Sequence, residues 1–249
     1  MWTNEGAERT DGENRLLAGY LSAIAGFVNS ASFFLVGAFT SHVTGNVGRL
    51  ANDIAVGHPL SALTALVLIG AFFAGAFLAS MAIESQFFGP LPSTYGTLMV
   101  FEAATLVAFV SLVREGETVA KDLPALLLCG AMGLQNSLVT RLSDAVVRTT
   151  HLTGVVTDLG IEAARWFRYM RIGISKRLAI GPSAAVRPSV PKIVLLLTIV
   201  GGFTTGSVAG ALSTARFGRF ALLFPAVVLG ASGIYGMVTG RAITRKERR

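Results

Sequence analysis

Charge is scarce in this chain. Only 14% of its 249 residues are Asp, Glu, Lys or Arg, 52% are hydrophobic, and mean hydropathy is +0.62. So little charge cannot coat a soluble globule of this length, so the composition predicts a bilayer as solvent. Cysteine is scarcer still: the single Cys129 excludes a disulfide within the chain and any paired-Cys motif. The usual catalytic signatures are missing as well. There is no G-x-S-x-G elbow, no Walker loop and no H-E-x-x-H, so no nucleophile or metal-assisted reaction is recognisable. Catalytic residues, cofactors and metals are therefore not expected, and the chain is not expected to be an enzyme.

What remains is a series of apolar runs: Leu16–Phe39, Leu60–Ile83, Thr97–Val113, Leu123–Val139, Ile193–Ala211 and Phe220–Val238. Each is near the ~20 residues that cross a hydrocarbon core as helix, so six crossings are expected. The first run is longer than a signal-peptide core and reads as a retained span. Glycine is frequent, 28 in all, and Gly70, Gly75, Gly202, Gly206 and Gly210 fall within the runs. Small residues there let helix backbones approach closely in lipid, and glycine-lined faces are also compatible with a homo-oligomer.

Lysine and arginine set the expected orientation. Two precede the first run, nine lie in the fourth connection and five follow the last run, all on one side of a six-span chain; the opposite side carries five. The positive-inside rule then puts both termini in the cytoplasm of a cell whose inner membrane holds the protein. The net charge of +7 is explained by cations at membrane ends facing anionic headgroups, and without a recognition helix or zinc spacing no nucleic-acid partner is expected. The expected layout is a polar tail over residues 1–15, one membrane domain over 16–240, and a basic tail over 241–249.

Three short patterns occur twice in the same order. Gly26-Phe27-Val28-Asn29-Ser30 matches Gly133-Leu134-Gln135-Asn136-Ser137 as G-x-x-N-S. His42-Val43-Thr44-Gly45 matches His151-Leu152-Thr153-Gly154 as H-x-T-G, and Gly70–Gly75 matches Gly201–Gly206 as G-x-F-x-x-G. After each H-x-T-G an apolar stripe follows at helical spacing, Val43, Val47, Leu50, Ile54 and then Leu152, Val156, Leu159, Ala163, which predicts a short amphipathic helix in each half. The hydroxyls just before each His are suited to capping that helix. Two units result, residues 16–113 and 123–240. Three spans per unit is an odd number, so homologous units must enter the membrane from opposite sides, an all-α fold of two inverted three-helix repeats.

The segments Phe39–Asn46 and Thr149–Gly160 resemble the two signature stretches of the YoaK-like family of bacterial inner-membrane proteins. The resemblance runs from about Leu16 to Arg241 and implies a six-helix integral membrane protein, with no substrate or reaction attached. The family pattern carries an acidic residue where this chain has Asn29.

Polar residues inside apolar runs supply the candidate site. His42 and His151 are candidates for proton exchange or solute contact. Asn29, Ser30, Gln135, Asn136 and Ser137 offer uncharged polar groups, which also serve to join helices. Thr44, Gly45, Asn46, Thr153, Gly154 and Asp158 complete the two motif copies. Glu102 is the one acidic residue well inside a predicted span, a functional position by default. Aligning Phe101 with Phe224 makes Pro225 its counterpart. Asp53, Asp158, Glu162 and Arg49 are expected at the interface, on the exposed faces of the short helices. The reading is a permease or channel for a small polar solute, with a non-transporting scaffold or sensor as the alternative and a membrane-embedded enzyme third.

Overall fold

A computed structural model describes residues 8–89, 91–113, 122–175 and 188–247. The tail up to residue 7 and the expected topology cations Arg114, Lys121, Lys176, Arg177, Arg187, Arg248 and Arg249 lie outside the described residues. The described residues form helices and no strand: α1 Asp11–Val36, α2 Val43–Ala55, α3 Pro59–Glu84, α4 Leu91–Leu112, α5 Asp122–Leu142, α6 Leu152–Ser175, α7 Val190–Phe217 and α8 Leu223–Glu247, with a 3-10 turn at Gly218–Leu222 before α8.

Local chemistry sets the helix ends. At the start of α1, Thr10 Oγ1 accepts from Glu13 N while Glu13 Oε2 accepts from Thr10 N at 2.8 Å, a reciprocal capping box. The helix stops at Gly37, whose φ of 73° suits a residue without Cβ. Pro59 occupies the first position of α3, where its missing N–H costs nothing, and Ser189 caps α7 by accepting from Lys192 N.

Three helix pairs dominate the packing: α1 with α7, α3 with α5, and α4 with α8. Glycine makes the first two seams close. A Cβ on Gly26 would fall on the Phe203 carbonyl and one on Gly206 on the Ala23 carbonyl; in the other seam Gly133 meets the Phe72 carbonyl and Gly75 the Gly130 carbonyl. These are the G-x-x-N-S and G-x-F-x-x-G segments. In lipid such backbone approach takes the place of a hydrophobic driving force between helices. Gly96 and Gly233 face one another in the same way where α4 crosses α8.

The interior holds Leu17, Leu21, Val28, Tyr95, Met99, Leu106, Phe109, Leu128, Met132 and Leu138, all buried. The exterior is equally apolar. Leu60, Phe73, Leu78, Phe224, Val227 and Tyr235 are exposed, Leu60 to 80%, which water would not tolerate as a continuous belt. Four stretches of the described residues are long and apolar enough to cross a membrane: Asp11–Val36, Pro59–Glu84, Ser93–Leu112 and the 51-residue Val190–Gly240, which includes α7, the 3-10 turn and most of α8. The molecule is an all-helical chain compatible with a multi-pass membrane protein.

Helix α5, which carries Gln135, Asn136 and Arg141 among its apolar residues, packs against α1, α3 and α4. One expectation changes here: the amphipathic helix of the second half is not short, for α6 has 24 residues against 13 in α2.

Candidate functional site

The two N-S pairs sit on α1 and α5 and face the loops that carry the histidines. Ser41 Oγ donates to Asn29 Oδ1 at 2.8 Å, and Thr150 Oγ1 donates to Asn136 Oδ1 at 2.6 Å. Each bond joins the residue just before the histidine to the asparagine of the preceding helix. Asn29 is buried and Asn136 half-buried; Asn136 also donates from Nδ2 to Met132 O at 2.8 Å. The lead-in hydroxyls therefore do not cap α2 and α6 as the spacing suggested. Position 42 is the N-cap of α2 and makes no side-chain capping bond, because the turn after α1 carries Ser41 back onto Asn29 instead.

His42 and His151 are both exposed, as are Thr44, Gly45, Thr153 and Gly154; Asn46 is buried. The His42 ring lies over the first turn of α2, where a Cβ on Gly45 would come within 2.5 Å of His42 Nδ1. The second copy differs. Gly154 has open space where a Cβ would be built, so a side chain there would meet nothing, whereas one at position 45 would displace the exposed His42 ring.

The remaining candidates lie deeper. Ser137 is buried with its hydroxyl 2.8 Å from that of Ser80 on α3, and Ser30 is half-buried. Gln135 and Glu102 are fully buried, and neither the Gln135 amide atoms nor the Glu102 carboxyl oxygens have a hydrogen-bond partner among the described residues. Ser22 Oγ on α1 is in the same condition. Buried polar groups normally find partners, so several unpartnered ones in one bundle interior are unusual. Glu102 is also within electrostatic reach of Tyr20, which donates to Ser232 Oγ at 2.8 Å.

Asp158 belongs to a charged cluster rather than to the motif. Its carboxylate is 3.3 Å from Lys192 Nζ, which is also 3.7 Å from Glu162 Oε1. Glu162 is 1% exposed, not on a solvated face: it accepts from Arg165 Nη1 at 2.6 Å and from Ser189 N at 3.3 Å, tying α6 to the start of α7. Asp53 does the corresponding work between α2 and α3, accepting from Ser61 Oγ at 2.6 Å with Arg49 at 3.4 Å. Both were expected on exposed faces because charge on an amphipathic helix normally faces water. Here the carboxylates turn inward to bond the next helix.

Two clefts of about 370 Å³ flank the bundle, and neither is lined by an H-x-T-G residue. One is apolar, between α1, α7 and α8, with Tyr20, Phe27, Gly206, Phe224 and Pro225 in its walls. The other is polar and includes Asp11, Arg15, Asp158 and Lys192. Beside it, Arg9 Nε donates to Asn14 Oδ1 at 2.8 Å; burial pushes the Arg9 guanidinium pKa down, yet an arginine stays charged. Among the described residues no group of His, Cys, Asp and Glu is placed to hold a metal ion.

One family model, described as a protein of unknown function (DUF1275), matches residues 17–235. The chain belongs to the DUF1275 family. The match spans every helix from α1 into α8, so the paired asparagines, both H-x-T-G copies and Glu102 all lie within DUF1275 territory. No curated protein and no solved structure matches the chain.

Proposed function

We propose that this chain is a six-span inner-membrane permease or channel for a small polar solute, built from two inverted three-helix repeats with both termini in the cytoplasm. The observation that carries the reading is the pairing of equivalent bonds: Ser41 to Asn29 and Thr150 to Asn136. The glycine seams support it at the same offsets, Gly26 on Phe203 and Gly206 on Ala23 against Gly133 on Phe72 and Gly75 on Gly130. The resemblance to YoaK-like proteins supports the location. On this reading the mutual contact of Gly96 and Gly233 relates α4 to α8, and Thr239 rather than Pro225 is the counterpart of Glu102.

In inverted-repeat transporters one repeat rocks against the other around a site near the midplane. The two seams that rocking would exchange differ in this structure: α4 packs on α5, while α8 stands off α1 and leaves the apolar cleft. The mechanism assigned is a path lined by Asn29, Ser30, Gln135, Asn136 and Ser137, with Glu102 as the titratable group that couples movement to protons. The histidines flank it from opposite faces, and no covalent chemistry is involved.

Cysteine access tests the topology. In a Cys129→Ser background, Ser41→Cys and Thr150→Cys are expected to react with a membrane-impermeant thiol reagent from opposite faces of the membrane; labelling from one face refutes the inverted repeat. Unbiased solute uptake and efflux in cells lacking the protein, with His42→Ala and His151→Ala at normal folded levels, tests transport.

A second reading is favoured by α6. Trp166, Phe167, Tyr169 and Met170 are exposed on a helix that also carries Arg165, Arg168 and Arg171. Aromatic and basic residues together suit an interfacial helix that docks to anionic lipid or a partner. Transport that is absent for all solutes while α6 substitutions release a partner would decide for this scaffold reading.

A further inference from the structure

The polar cleft has an unusual charge arrangement. Asp158 and Lys192 are already paired at 3.3 Å. Asn14 is engaged by Arg9. Arg15 and Asp11 are not engaged: Arg15 Nε is buried without a hydrogen-bond partner, and although the two residues stand one helical turn apart, no ion pair joins them among the described residues. Arg15 as a whole is only half-buried, so the outer end of its guanidinium, which makes no hydrogen bond or ion pair among the described residues, stays accessible from the cleft. The cleft therefore presents one open cation and one open anion, above a wall that includes Leu195 and Leu196.

We propose that this cleft binds a zwitterion, a molecule or headgroup bearing one anionic and one ammonium group. The planar Arg15 fork takes the anion, and the Asp11 carboxylate accepts from the ammonium. A lone anion would meet Asp11 and Asp158, and a lone cation would meet Arg15 and Lys192, so a ligand of one sign gains from one pair and is repelled by the other. The volume of about 370 Å³ is at the small end of ligand sites and fits an amino acid or a single headgroup. The cleft lies at the starts of α1 and α7, where a span meets the headgroup layer, so both free and lipid-borne zwitterions have access. This proposal is independent of the transport reading, because binding is measured on a protein at rest.

The full chain, purified in a neutral detergent, is titrated with alanine, glycerophosphoethanolamine, propionate and propylammonium while heat release is recorded. Saturable binding of alanine assigns a free solute, and binding of glycerophosphoethanolamine alone assigns a lipid headgroup; either supports the proposal. Propionate and propylammonium are expected to bind at least about tenfold more weakly. Arg15→Gln and Asp11→Asn are each expected to weaken zwitterion binding by about tenfold or more. Arg15→Lys, which keeps the charge and loses the fork, is expected to retain part of the binding, which separates a folding defect from a lost contact. No saturable binding of either zwitterion, equal binding of propionate, or unchanged binding by Arg15→Gln overturns the proposal.

Discussion

Ser41 is fastened to Asn29 by a 2.8 Å hydrogen bond that crosses from the loop before α2 to the buried face of α1. Thr150 and Asn136 repeat the arrangement at 2.6 Å between the loop before α6 and α5. In each case an asparagine fixes where the following histidine stands.

Removing either clasp should loosen its loop without collapsing the bundle. A single internal hydrogen bond contributes about 0.5–1.5 kcal/mol. Ser41→Ala and Thr150→Ala are therefore each expected to lower thermal stability in detergent by that order, and the pair Asn29→Ala with Ser41→Ala should cost less than the two single losses added. A strictly additive result would mean that the bond contributes nothing.

The seams are far less tolerant than the loops. Gly26→Val and Gly206→Val push side-chain atoms into the Phe203 and Ala23 carbonyls, and overpacking of that kind costs about 1–3 kcal/mol or more. Gly70→Ala, which meets nothing within 4 Å, is the matched control and should fold normally. Folded yield by detergent size-exclusion chromatography compares them directly.

Glu102→Gln keeps the shape of the fully buried side chain but removes its exchangeable carboxyl proton. Melting temperature should shift by less than about 1 kcal/mol of stability equivalent, whereas any pH-dependent component of solute flux should vanish. Flux that keeps its pH dependence in this variant removes Glu102 from the coupling mechanism.

Glu162→Ala should release α6 from the start of α7. The carboxylate is buried and holds Arg165, Lys192 and the Ser189 amide, so about 1–3 kcal/mol of local stability is expected to go with it. Hydrogen exchange should quicken in α6 and leave α2 unaffected. Asp158→Asn, which loses only a half-exposed pair with Lys192, should cost less than about 1 kcal/mol.

The helices were legible because their signals are local. Apolar runs of spanning length mark where α1, α3, α4, α5, α7 and α8 lie, although α4 begins six residues before its run and α7 and α8 continue six and nine residues past theirs. The repeated N-S and H-x-T-G patterns pointed to Asn29, Asn136, Ser41 and Thr150, but not to the bonds between them, since a hydroxyl beside a helix start is equally able to cap it. Glu162 departs from its expected exposed position for a related reason. Its spacing places it on the polar stripe of α6, and only the position of α7 turns that stripe inward. Arg15 carried no signal beyond a charge near a membrane end; its unmet N–H is visible only once α6 and α7 close the cleft around it.

The seams have a consequence for biogenesis. Helix α1 is seated on α7, and α5 on α3, so the first half of the chain cannot complete its own packing. As synthesis proceeds, the Gly26 and Gly75 faces must remain open in the bilayer until α7 and α5 arrive, a period during which a nascent chain is vulnerable to membrane proteases. Separate fragments covering residues 1–113 and 122–249 are then expected to be degraded when made alone and to persist when made together.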